Sequence, residues 1–319
     1  VPQAHFTEAR VIRNPQVCRE HRRLVLAVDD FPAPSPGQFV HIVQPHREQT
    51  PQSHVRSEGS WVQLSAAWAQ EGMTFRRAFS IAAVRRRGRS SEIDLLYRVV
   101  GTATRWMASL TSSDPVDLLG PLGNGFTVAP RKQLALLVAG GVGLPPMLAW
   151  AAFLAERGVR TVALCGAQSA DLFPLTLDPR ATFNTREAEP GSGAEEFDAV
   201  GVRFILTTDD GTLGMRGRVT DALAGFVETS RPSPASTAIY TCGPEPMMRR
   251  VAELACSWDI DCQVCMERSM ACGLGTCQSC VVPIRDGSQP SGFRYQLCCT
   301  QGPVFDGRSV IWNTPPGAL

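Results

Sequence analysis

Along the first third of the chain, apolar and polar residues alternate in short runs. Residues 24–28 and 38–43 are apolar, and Pro32, Pro34, Pro36 and Gly37 stand between them. Residues 92–100 put Ile93, Leu95, Tyr97 and Val99 on one face. Period-two runs broken by turn residues predict antiparallel strands, and a series of them predicts a small barrel over residues 1–130. The basic run Arg85-Arg86-Arg87-Gly88-Arg89 falls between two such segments and reads as a solvated hairpin turn. Residues 44–74 are polar and read as a long surface loop with one short element over 61–69. Residues 117–126 mix Gly, Pro and Asn with apolar positions and read as the turn that closes the barrel.

From residue 131 the pattern changes to blocks. Apolar segments at 134–139, 161–164, 202–206 and 238–240 read as strands, with helical periods over 147–157, 221–226 and 247–257. Such alternation predicts a parallel sheet with crossover helices over residues 131–257. Residues 134–155 are uncharged for 22 positions, long enough to cross a bilayer. Gly140, Gly141, Gly143 and the pair Pro145-Pro146 interrupt them, so a buried strand followed by a helix starting after the prolines is expected, with no membrane segment. Residues 181–200 read as an exposed, mobile insertion. Residues 258–319 form a third unit, in which a strand-like 279–284, a polar turn and 293–299 bring late cysteines back to earlier ones. The predicted class is multidomain α+β.

Composition narrows the function. A chain of 319 residues suits two or three domains, and a formal charge of +1 gives no electrostatic footprint for nucleic acid. No charged start precedes a long apolar run, so no secretory signal is expected. Eleven cysteines, spaced as described next, point to a reducing, cytoplasmic compartment and away from a disulfide scaffold.

The cysteines carry the strongest chemistry. Cys272, Cys277 and Cys280 form C-x4-C-x2-C, and Cys298 and Cys299 follow; this is the plant-type spacing for a [2Fe-2S] cluster. Gly273 and Gly275 let the loop wrap the cluster closely. A zinc ribbon or plain burial would use the same residue type, but a four-residue spacer with two glycines suits zinc poorly. All five histidines precede residue 55, so no histidine is expected near this loop, and a centre with two histidine ligands is excluded. Four weaker signals accompany it. Arg77-Ala78-Phe79-Ser80 offers a guanidinium fork for a pyrophosphate and a hydroxyl for a ring system. Gly101-Thr102-Ala103-Thr104 opens a helix, where backbone N–H groups suit a phosphate. Gly140, Gly141 and Gly143 follow a strand and precede a helix, as a dinucleotide loop does, although G-x-G-x-x-G is not matched. Cys242, Gly243 and Pro244 stand at another strand's carboxyl end, where open α/β sheets bind ligands.

With these residues in view, the chain resembles the electron-transfer subunits of class 1B dihydroorotate dehydrogenase, within the ferredoxin–NADP reductase superfamily. The resemblance runs over nearly the whole chain. It rests on Arg77-Ala78-Phe79-Ser80-Ile81, Tyr97 to Gly101, Leu119 to Phe126, Ala139 to Pro146, Cys242-Gly243-Pro244, and the cluster run ending in Gly302-Pro303-Val304-Phe305. It implies FAD on the barrel, with Arg77 on its phosphates, Phe79 and Ser80 at the isoalloxazine, and Gly101, Thr102 and Thr104 in a second FAD loop. It implies NAD(H) at Gly140, Gly141, Gly143, Cys242, Gly243 and Pro244. The family cysteine three residues before Gly302 implies Cys299 as the fourth cluster ligand, beside Cys272, Cys277 and Cys280. No catalytic side chain is implied, because the cofactors carry the redox chemistry. The implied function is electron relay between NAD(H) and an FMN-containing dihydroorotate dehydrogenase catalytic subunit, or a similar redox partner, in a hetero-oligomer serving pyrimidine biosynthesis. The turn at 166–171 offers Asp171 and no arginine, which favours NAD(H) over NADP(H). Flavin subunits of a bifurcating NADH:ferredoxin oxidoreductase or of a sulfhydrogenase, and a redox sensor without turnover, are the alternatives.

Overall fold

The computed structural model describes residues 5–43 and 76–312. The expected loop at 44–74, with its element at 61–69, lies outside the described residues.

The N-terminal unit is a closed antiparallel barrel. Its strands are β1 (His5–Arg13), β3 (His21–Asp29), β4 (Phe39–Val43), β5 (Arg77–Arg87), β6 (Ser90–Arg98) and β7 (Pro115–Leu122), in the order β1-β7-β4-β5-β6-β3, and a β1–β3 pairing closes the ring. A short β2 (Gln16–Cys18) lies outside β3. The alternation seen in the sequence is the barrel's inside–outside pattern: Leu24, Leu26, Ile93, Leu95, Tyr97 and Val116 fill one core. The basic run is the end of the β5–β6 hairpin, where Arg85 pairs with Glu92 at 3.2 Å and Asp94 at 3.1 Å. Residues 117–122, expected as a turn, are strand instead. Gly120 serves close packing there, since a Cβ on it would stand 2.8 Å from Val40. The chain turns only at Gly123, which has a φ of 75°.

The second unit is a seven-stranded sheet. It contains β8 (Leu134–Gly140), β9 (Arg160–Ala167), β10 (Arg203–Thr208), β11 (Met215–Arg216), β12 (Thr237–Cys242), β13 (Asp261–Cys265) and β16 (Val304–Asp306), in the order β11-β10-β9-β8-β12-β13-β16. Every pairing is parallel except β13–β16. Helices cover both faces, which is why the strands read as unbroken apolar runs. Leu137, Ala163 and Tyr240 pack with Trp150 of α2 (Leu144–Ala155) on one face. Leu136, Val162 and Ile239 pack with Leu223 of α4 (Val219–Ser230) and Val251 of α5 (Glu245–Ser257) on the other. Pro145 and Pro146 sit inside the first turn of α2, so that helix starts three residues before the expected point. N–H groups in a first turn have no intrahelical partner, and proline loses nothing there. The expected insertion at 181–200 is not exposed throughout: Ala194 and Phe197 are fully buried, Gly191 bridges to Phe204, and α3 (Glu195–Asp198) docks on the sheet.

The remaining residues carry the two-stranded β14 (Val281–Arg285) and β15 (Phe293–Leu297). They have no separate core. Cys280, Val282, Ile284 and Cys298 share one cluster with the second sheet and with Phe39, Leu119 and Leu122 of the barrel. No helix among the described residues is long and apolar enough to cross a membrane.

Candidate cofactor and electron-transfer sites

After β13 the chain loops through residues 266–280 before β14 begins. Gly273 and Gly275 adopt φ values of 73° and 85°, and Gln278 adopts 57°, a left-handed path that turns backbone N–H groups inward. Cys272 Sγ accepts N–H groups from Leu274 at 3.3 Å and Cys277 at 3.4 Å. Cys280 Sγ accepts the Cys299 N–H at 3.4 Å. The four cysteines thus fall into two neighbouring pairs, 272 with 277 and 280 with 299. Among the described residues no group of three or more His, Cys, Asp or Glu is gathered for a single ion. Two pairs suit a cluster of two irons, each taking two thiolates, better than zinc, which wants four on one centre. Cys298 faces away: it is fully buried and lies 3.3 Å from the Met266 carbonyl. Cys277 is exposed, and its thiol is held down to about 6, chiefly by the Ser279 hydroxyl at 3.1 Å. Burial and the neighbouring Cys280 push Cys299 up to about 12.

On the barrel, Arg77, Phe79 and Ser80 open β5, with Ser80 opposite Phe39 and Arg77 opposite Ile42 in β4. Phe79 meets Tyr97 edge-on at 6.1 Å between ring centroids. The end of β6 lies beside this start. There Gly101 caps α1 (Thr102–Ser109), and the Thr104 hydroxyl oxygen accepts the N–H groups of Val100 at 2.9 Å and Gly101 at 3.0 Å. Thr104 is therefore occupied in shaping the turn, while Thr102 stays exposed. Arg77 and Gly101 stand at one end of the barrel, as an extended dinucleotide cofactor requires.

The remaining two motifs meet at the switch point of the second sheet. From β8 the strand order runs one way to β9 and the other way to β12, and open α/β sheets bind ligands outside such a point. Gly140, Gly141 and Gly143 follow β8; Cys242, Gly243 and Pro244 follow β12. A Cβ on Gly143 would collide with the Cys242 carbonyl, so the two loops touch because that residue is glycine. They border a cavity of about 440 Å³ that Arg98 and His21 of the barrel also line. Arg218, Arg250 and Asp209 complete it. Of these five, only Arg98 lies within a run that carries the resemblance, Tyr97 to Gly101, and none had been given a role; they come from separate elements and carry no local motif. Asp171, expected at the nucleotide ribose, pairs instead with Arg19 at 2.7 Å. Glu245 at the start of α5 holds Arg268 of the cluster loop at 2.7 Å, tying the nucleotide loop to the cluster loop.

Known proteins match these parts in the same order. Residues 10–125 match the siderophore-interacting FAD-binding domain, and residues 267–311 match the iron–sulfur cluster binding domain of dihydroorotate dehydrogenase B. The chain is 31% identical over 307 residues to the dihydroorotate dehydrogenase B (NAD(+)) electron transfer subunit of Listeria monocytogenes, covering 95% of this chain and 98% of that one. It is 33% identical to the subunit of the same name from Geobacillus kaustophilus, over 81% of this chain and 88% of the relative. Among solved structures, an NADH-dependent reduced ferredoxin-NADP oxidoreductase shares the fold with a TM-score of 0.70 at 21% identity, covering 95% of this chain and 90% of that one. A ferredoxin NADP+ reductase from Neisseria gonorrhoeae follows at 0.53 and 15% identity, over 83% and 93%. The chain carries an FAD-binding domain and an iron–sulfur cluster-binding domain on a ferredoxin-reductase-like fold, and it belongs to the family of dihydroorotate dehydrogenase B electron transfer subunits.

Proposed function

We propose that the chain relays electrons between NAD(H) and a partner dehydrogenase through FAD and a [2Fe-2S] cluster. The observation that carries this is contiguity. The cluster loop packs on β4 and β7 of the barrel through Gly273, which abuts His41 and Leu122, and it is bonded to the nucleotide loop through Arg268 and Glu245. Three units, at 1–130, 131–257 and 258–319, divide the work, the third anchored in the second sheet by β13 and β16.

In this proposal Cys272, Cys277, Cys280 and Cys299 hold the cluster. Arg77, Phe79, Ser80, Gly101, Thr102 and Thr104 form the FAD site, with Thr104 fixing the loop. The switch-point glycines and Cys242, Gly243 and Pro244 receive the nicotinamide nucleotide. Bound FAD supplies exchange of two electrons with a nicotinamide and of one with a cluster. The chain's own residues hold these groups in order and keep the cluster loop at the surface. Leu274 there is 50% exposed, so a partner can approach the loop. The partner in this proposal is the FMN-containing catalytic subunit of a dihydroorotate dehydrogenase, a reading supported only as far as the relatives' being named electron transfer subunits of that enzyme, and the setting is the cytoplasm, where eleven unpaired cysteines persist.

The test is reconstitution. The isolated chain should reduce dyes with NADH and leave dihydroorotate untouched; the added partner should bring NAD-linked dihydroorotate oxidation. Leu274→Glu should weaken that coupling and spare dye reduction. Dihydroorotate oxidation by the isolated chain, or full coupling in the Leu274 variant, would contradict the division of roles and the docking face.

A further inference from the structure

His41 is a buried polar side chain that the relay described above leaves without a task. It lies in β4, is 1% exposed, and stands opposite Ala78 of β5 and Leu119 of β7. Among the described residues neither Nδ1 nor Nε2 has a hydrogen-bond partner. Burial, helped by Arg76 and Arg77, pushes its pKa down to about 4, so the ring is neutral and one nitrogen carries a proton. A buried N–H without an acceptor costs about 1–3 kcal/mol, so such a group normally has a use.

Its direction identifies that use. A Cβ on Gly273 would stand 2.9 Å from His41 Cε1 and 3.1 Å from Nε2, so this edge of the ring lies directly beneath the cluster loop, next in sequence to Cys272. The loop's own N–H groups already serve sulfur from above, at Leu274 and Cys277. In the sheet, His41 is paired with Ala78 of the strand that begins with Arg77, where the proposed function seats the flavin. We propose that His41 is a positioning residue of the electron path: its Nε2–H donates a hydrogen bond to sulfur of the [2Fe-2S] cluster held by the 272–280 loop. Reduction adds negative charge to the cluster, and a donor aimed at sulfur stabilises the reduced form and raises its potential. The barrel thereby sets the potential of a cluster bound by a distant segment. Glycine at 273 is the condition for this contact, because any side chain there would lie against the imidazole.

The inference rests on the cluster reading, and the experiment separates the two. The full chain is purified with its cofactors, and iron, sulfide and the visible spectrum establish the cluster. Absence of a [2Fe-2S] spectrum in the parent would overturn the cluster reading together with this one. Where the cluster is present, the parent is labelled with [15N]histidine, reduced, and read by pulsed EPR. A weak 15N coupling to the cluster is expected, and it should vanish in His41→Gln prepared from the same labelled medium. No histidine coupling in the parent overturns the proposal, whether or not any variant folds. Potentiometry gives a second readout. His41→Leu should shift the cluster's one-electron reduction equilibrium about tenfold toward the oxidised form, some 59 mV, while His41→Gln, which keeps a donor, should recover most of it. An unchanged cluster potential in His41→Leu, or a shift confined to the flavin, would overturn it, since a side chain that only fills space leaves the cluster potential where it was.

Discussion

The loop at 272–280 and the strand ends around Cys242 and Cys265 are both rich in cysteine, and they treat the thiol in opposite ways. In the loop, backbone N–H groups converge on Cys272, and Cys277 is exposed with its pKa lowered. At the strand ends, Cys265 is buried beside Cys242, which raises it well above an ordinary thiol, and burial raises Cys262 and Cys298 likewise. In the loop, N–H groups and a hydroxyl face the sulfurs of Cys272 and Cys277; the strand ends supply small apolar side chains. Residue type is shared, and what differs is whether donors or carbon surround the sulfur. The proposed function draws the boundary between ligand and packing residue between Cys298 and Cys299; burial raises both, and they differ in contact, since the Cys298 sulfur lies on the Met266 carbonyl while the Cys299 N–H meets the Cys280 sulfur.

The hardest blow to this contrast is a pair of substitutions. Cys299→Ser should abolish or strongly perturb the visible spectrum of the cluster, and Cys298→Ser should leave it intact; the opposite result would move the boundary by one residue. Gly143→Ala tests the strand-end side. Its new Cβ meets the Cys242 carbonyl, which cannot retreat within the sheet. Stability should fall by about 1–3 kcal/mol, seen as a melting temperature lower by several degrees, with weakened NADH reduction and an intact cluster spectrum. Arg77→Ala belongs to neither region and sharpens the comparison as an outside reference. Losing one charge-assisted bond should cost roughly 1.5–3 kcal/mol of FAD binding, about a ten- to hundredfold fall in affinity measured by dialysis, with the cluster unchanged. The smallest effect is kinetic. In protein stripped of iron, iodoacetamide should modify the exposed Cys277 and Cys256 well before the buried Cys165 and Cys262; equal rates would erase the distinction between the two groups.

Much of the architecture could be read before any coordinates. The barrel was legible from Ile93, Leu95 and Tyr97 on one face, and the parallel sheet from unbroken runs such as 134–139, because strand periodicity is written locally. Errors fell where one residue type serves two ends. Gly120 and Pro121 looked like a turn but lie within β7, where the glycine answers to Val40 on another strand. Pro145 and Pro146 looked like a break but fit a first helical turn. Strands β13 and β16 were missed because they are short and gain their place only by pairing with β12 and with each other.

The same division runs through the site. C-x4-C-x2-C, the glycines of the cluster loop, the glycines after β8 and the arginine opening β5 were readable because each depends on geometry within a few residues. The choice between Cys298 and Cys299 came from resemblance; in the fold the Cys298 sulfur faces Met266 while the Cys299 N–H meets the Cys280 sulfur, and the paired serine substitutions are its test. The histidine expected to have no place near the cluster is the clearest case. His41 is far from Gly273 in the chain and reaches it because β4 and the cluster loop share one core. No spacing rule can register such a contact; it exists only once burial of Phe39, Leu119 and Leu122 against the second sheet has brought the two segments together.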